Sequence, residues 1–164
     1  MVGLACASLT ASAAAPPKQG SSKTLELFGM KLKGSDRQQL RAALAKGGLR
    51  PIRVNDNYWV DTYNAKGALE GASSFAAGYV QRSNVFAFGQ YQFDAFMDTG
   101  LVTRVATMVA HKYGPPSSKV GNDGLGEVTY TWNLPEKMVI RVLRGWPEST
   151  TYLKFVDPAA EELP

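Results

Sequence analysis

The stretch from Met97 to Trp132 restricts the fold more than any other part of the chain. Leu101, Val105, Met108 and Val109 fall at i, i+4, i+7 and i+8, and Val102 and Ala106 widen the stripe. That spacing lays one apolar face along an α-helix over residues 99–113. Asp98 is placed to cap it, because its carboxylate can accept an orphan backbone N–H at the positive helix end. Gly114 can end the helix in the left-handed conformation, and Pro115-Pro116 prevents its continuation. A polar, glycine-rich loop follows to Gly126. Val128, Tyr130 and Trp132 then alternate with polar residues, the pattern of a half-buried strand over 127–133. After a turn at 135–137, residues 138–143 and 150–156 read as two more strands.

The front half repeats this order. A short strand at 24–28 precedes a helix over 35–46, with a capping-box pattern at Ser35 and Gln38 and a stripe of Leu40, Ala43 and Leu44. Gly47-Gly48 ends it, with Pro51 just beyond. Strands are expected at 52–54, 58–63, 74–80 and 85–93. In the last of these the aromatic phase changes between Phe86/Phe88 and Tyr91/Phe93, so either a bulge near Gly89 brings all four to the core or the strand is buried on both faces. The fold class read from this is α+β: tandem β-α-β-β-β units whose antiparallel sheets join, with two helices packed on one face. The modules are bounded at 24–84 and 85–158, forming one compact unit, with a tail at 159–164.

Lys112-Tyr113-Gly114-Pro115-Pro116, together with Tyr130-Thr131-Trp132, resembles the small envelope modules of the SmpA/OmlA outer-membrane assembly family. The doubled arrangement resembles the β-lactamase inhibitor proteins, tandem helix-plus-sheet modules. That resemblance implies a protein that binds another protein on an exposed sheet face. The disulfides of those inhibitors cannot form here, since Cys6 is the only cysteine.

Residues 1–13 are small or apolar and uncharged, and Ala11-Ser12-Ala13 fits the small-x-small pattern before a signal-peptidase cut. The segment reads as the remnant of a signal peptide, followed by a Pro/Ser/Lys linker at 14–23. The expected location is therefore periplasmic or secreted, in a bacterium. Cys6 does not fit the lipobox register, so a lipid anchor there is not expected. No run is long enough to span a membrane.

The charge is uneven. Residues 18–53 carry nine basic groups against two acidic, while residues 54–164 carry nine against twelve. Lys31, Lys33, Arg37, Arg41, Lys46, Arg50 and Arg53 form a basic front end that would suit an anionic surface. It lacks the interleaved aromatics of a nucleic-acid interface, so no nucleic acid is expected.

No catalytic constellation stands out. His111, the only histidine, falls in the last turn of the second helix, and one histidine alone makes no ordinary metal site. Asp61 shares a strand face with Trp59 and Tyr63. It is either a buried acid, or a residue that stands at a sheet edge or pairs with an arginine. Gly121, Gly124 and Gly126 precede a strand rather than a helix, the reverse of a phosphate loop. Neither a metal nor a cofactor is expected.

The reading is a non-enzymatic protein-binding module of the cell envelope, of inhibitor, immunity or assembly type, using a sheet face and loops. Its candidate contacts are Trp146 in the turn Arg144-Gly145-Trp146-Pro147, Trp132, Tyr130, Trp59, Tyr63, Arg37 and Arg41. The alternatives are an exported hydrolase pairing His111 with a carboxylate such as Asp61, and the basic anion binder.

Overall fold

The computed structural model describes residues 22–147 and 149–161. The expected signal remnant, Cys6 and most of the linker lie outside the described residues. Strands β1 (Glu26–Leu27) and β2 (Met30–Lys31) make a small hairpin. Helix α1 (Arg37–Lys46) leads into β3 (Arg50–Arg53), β4 (Val60–Asn64), β5 (Ser74–Tyr79) and β6 (Phe86–Phe93). Helix α2 (Leu101–Tyr113) leads into β7 (Ser118–Asn122), β8 (Glu127–Asn133), β9 (Val139–Arg144) and β10 (Thr151–Val156). A single helical turn, α3 (Pro158–Glu161), follows.

Both helices start later than the spacing predicts, for local reasons. The cap of α1 is Asp36, whose carboxylate accepts the Gln38 and Gln39 amides while the Gln39 side chain accepts the Asp36 N–H. The capping box is present one residue on from Ser35 and Gln38. Ser35 is buried, its hydroxyl donating to the Leu32 carbonyl at 2.8 Å. Gly100 caps α2, and Asp98 stands before it, accepting the Gly100 amide and pairing with Arg104. Gly114 ends α2 at φ +83°, as expected of a residue without a Cβ.

Eight strands form one antiparallel sheet in the order β3-β4-β5-β6-β10-β9-β8-β7. Each helix is thus followed in space by four consecutive strands, and β6 and β10 pair at the centre. The expected strands are present with ends shifted by a few residues. The edge strand β7 was not expected. It lies within the loop read as irregular, where five exposed residues give no apolar alternation.

One row of side chains shows how the core is built. Tyr63, Phe75, Tyr91, Leu153, Val142 and Tyr130 lie opposite one another across six strands, all buried on the helical face. Leu40 and Leu44 of α1 and Val102, Val105, Ala106 and Val109 of α2 pack on that same face in one continuous cluster. Each fully buried leucine contributes about 1.5–3 kcal/mol by leaving water. The bulge in β6 is at Ala87, between the Gly78–Phe88 and Tyr79–Phe86 pairs, two residues before Gly89. Phe86, Tyr91 and Phe93 therefore reach the core. Phe88 lies on the opposite face, its ring filling the space where a side chain on Gly78 would stand. Gly89 has a packing role instead: the Phe75 ring sits where its Cβ would be.

Helices α1 and α2 pack on the one face and leave the other face of the sheet to polar side chains along its middle. Gln90, Lys154, Arg141 and Thr131 form a polar row across it, half-buried or exposed. Among the described residues, no helix is long and apolar enough to cross a membrane.

Candidate functional site

Two arginines organise the polar chemistry of this molecule, and they do different things. Arg144 ends β9 on the core face, only 5% exposed. Among the described residues no carboxylate pairs with it. Its guanidinium donates to three carbonyls: Ser149 at 3.0 Å, Gly126 at 2.8 Å and Phe96 at 2.8 Å. Those carbonyls belong to the β9–β10 loop, the β7–β8 turn and the β6–α2 loop. A planar fork with five donors can satisfy three separate carbonyls at once, which an ammonium on a flexible stem does less well. Gly126, at φ +72°, is required there, since a Cβ would fall 1.9 Å from the Arg144 Nη1.

The three loops that Arg144 draws together carry the most exposed large apolar side chains of this end of the sheet. Met97 is 95% exposed, Leu125 77%, Trp146 75% and Phe96 54%. Each lies within three residues of an anchored carbonyl. These exposed side chains leave apolar surface in water on loops held by one buried cation. Trp146 was singled out from the sequence. Phe96, Met97 and Leu125 were not, because nothing local shows that Arg144 would gather their loops.

Arg37 belongs to a second network, under α1. Asp61 on β4 is fully buried and receives Arg37 at 2.7 Å and Arg41 at 2.8 Å. Arg37 also donates to the carbonyls of Asn55 and Tyr58, and its guanidinium lies 4.8 Å from the Tyr79 ring centre. Burial alone would raise the Asp61 pKa, but the hydrogen bonds from Arg41 and Arg37 outweigh it and hold the carboxyl below its ordinary value. Arg41 is pushed up in turn, chiefly by its bond to Asp61. Burial, then the Asp61 charge, pushes the Tyr63 hydroxyl up to about 12. Tyr79 is raised further by burial and by Tyr63 and Asp61. Asp61 is therefore the ion-paired carboxylate among the readings the sequence left open.

The remaining candidates separate cleanly. Trp132 is core, 1% exposed, with its indole N–H on the Gly114 carbonyl at 2.8 Å. Tyr130 is buried beside it and donates to Asp123 at 2.7 Å. Tyr63 is buried in the central row, and Arg37 is buried against Asp61. None of these four presents a surface to a partner. Trp59, 38% exposed, stands before β4 with Tyr58, at the end of the sheet opposite Trp146. No one patch contains both tryptophans.

The basic front end is mostly neutralised. Lys31 pairs with Glu136, Lys33 with Asp157, Arg37 with Asp61, and Arg41 with Asp56 and Asp61. Arg53 lies over the Tyr58 ring at 4.7 Å. His111 is exposed on α2, whereas Asp61 is sealed beneath α1, so the two do not share a site. Among the described residues, no group of three His, Cys, Asp or Glu side chains is arranged to hold a metal.

No protein family matches the chain, and no curated protein matches its sequence. Among solved structures it is similar to YjgB, a DUF4309 family protein from Bacillus subtilis. The identity is 15% and the TM-score 0.46, over 85% of this chain and 89% of that one.

Proposed function

We propose that this chain is an exported, non-enzymatic protein-binding module of the bacterial envelope. It uses the apolar side chains of Phe96, Met97, Leu125 and Trp146 on their loops, with the polar sheet face of Gln90, Lys154 and Arg141. The observation that carries this is Arg144: a buried cation committed to three loop carbonyls that fixes, on one rigid frame, four apolar side chains left in water. Pre-organised anchors of this kind lose little entropy on binding, and aromatic residues are the commonest of them. The partner this surface suits offers an apolar recess for Trp146 and Met97, and polar groups to meet the row of Gln90, Lys154 and Arg141.

The test is affinity capture from cell-envelope extract with the mature chain at low and high salt, with bound proteins identified by mass. The proposal expects one protein retained at both salts, because apolar burial is not screened. Capture that disappears at high salt would favour the basic front end, and turnover of a substrate without any partner would overturn the binding reading.

A further inference from the structure

A cleft of about 280 Å³ opens on the helical face, between the β1–β2 hairpin and the C-terminal half of α2. Its floor is the centre of the sheet, where Tyr91, Leu153 and Phe155 lie on the paired strands β6 and β10. Leu69 and Met108 make its walls. Its roof is the β1–β2 hairpin, which spans the two helices. At one end the Phe28 ring lies over Gly47, the last cap of α1; at the other, Lys112 of α2 donates to the Glu26 carbonyl. Phe28 holds φ +51°, an uncommon conformation for a bulky residue, at the tip of this strap.

Tyr91 lies on the floor of this cleft. It is 2% exposed, with its ring 4.5 Å from Phe75 and edge-on to Phe155. Its hydroxyl has no hydrogen-bond partner among the described residues and, unlike the hydroxyls of Tyr63 and Tyr79, is not sealed from solvent, so it is open to a bound molecule. Burial raises its pKa, so it remains a protonated donor throughout the ordinary pH range. The rim carries one cation, Lys112, and one carboxylate, Glu26, and so favours neither sign of charge.

We infer that this cleft binds one small, uncharged and largely apolar molecule that accepts a single hydrogen bond from Tyr91. An enclosed apolar cavity of about 150 Å³ takes benzene, and ligand pockets begin near 300 Å³. The space here suits a medium-length aliphatic chain ending in a carbonyl. The site is separate from the loop cluster and stands independently of the protein-binding proposal.

The full chain is titrated with 2-decanone by calorimetry and by amide chemical shifts, with decanoate as the charged comparison. The result expected is saturable binding of one molecule, with shifts centred on residues around Tyr91, Leu153 and Met108. Tyr91→Phe keeps the ring and removes the donor, and should weaken binding about five- to tenfold. Met108→Trp narrows the mouth from a partly exposed position and should abolish binding, with an unchanged urea midpoint showing that the fold is intact. Absence of saturable binding, equal binding by both variants, or tighter binding of decanoate than of 2-decanone would each overturn the inference.

Discussion

Asp61 shows what a single buried charge does in this fold. Replacing it by Asn leaves Arg37 buried without its counter-charge, and the expected cost is about 3–5 kcal/mol, read from the urea midpoint. The folded pKa is held below the unfolded value near 3.8, so the stabilisation is complete above that value. It is lost as pH falls through the lower, folded value. Acid unfolding of the native chain should therefore steepen below about pH 4, and Asp61→Asn should remove that component. The tyrosines act in the opposite direction. Their folded pKa values are raised, Tyr63 to about 12, so their contribution is complete below the ordinary value of 10. It falls away as pH rises through the folded values, and stability measured above pH 10 should decline. The sequence offered Asp61 as a buried acid, a sheet-edge residue or an arginine's partner. It could not decide, because Arg37 and Arg41 reach Asp61 from another element. Arg144 was legible only as part of a turn, since its three carbonyl partners are 5 to 48 residues away.

At the scale of elements, the signals that worked were those whose cause is local. The stripe of Leu101, Val102, Val105, Ala106, Met108 and Val109 and the stop at Gly114 place α2, since both are fixed within a turn of helix, although Leu101 is half-buried and Met108 exposed at the edge of the stripe. The alternation of Val128, Tyr130 and Trp132 places β8 for the same reason. Strand β7 was hidden because an exposed edge strand needs no apolar face; its order comes from hydrogen bonds to β8. Two measurements follow. Asp36→Ala removes the capping box of α1 and should cost about 1 kcal/mol, whereas Ser35→Ala should leave the Gln38 and Gln39 amides satisfied. Amides of β7 should exchange with solvent faster than those of β9 and β10, which are paired on both sides. Equal protection of β7 and β9 would show that the edge is covered in solution.

For the whole molecule, the helices and the row from Tyr63 to Tyr130 occupy one side, and the loop cluster stands at one end. Arg144 joins the two regions, because a core position of β9 sets the positions of exposed side chains. Arg144→Met should therefore act twice. It should lower stability by about 2–4 kcal/mol through three unpaired carbonyls, and it should speed amide exchange around 96–100 and 145–147. Met97→Lys and Trp146→Ser change only exposed side chains and should leave stability within about 0.5 kcal/mol. The contrast between these substitutions separates holding the surface from being the surface. The most direct measurement is the affinity of the captured envelope protein for the native chain and for the double variant Met97→Lys/Trp146→Ser, by calorimetry. The account predicts at least a hundredfold loss for the variant, about 2.7 kcal/mol, at an unchanged urea midpoint. Equal affinity for both chains would contradict it and move the interface away from the loops that Arg144 holds.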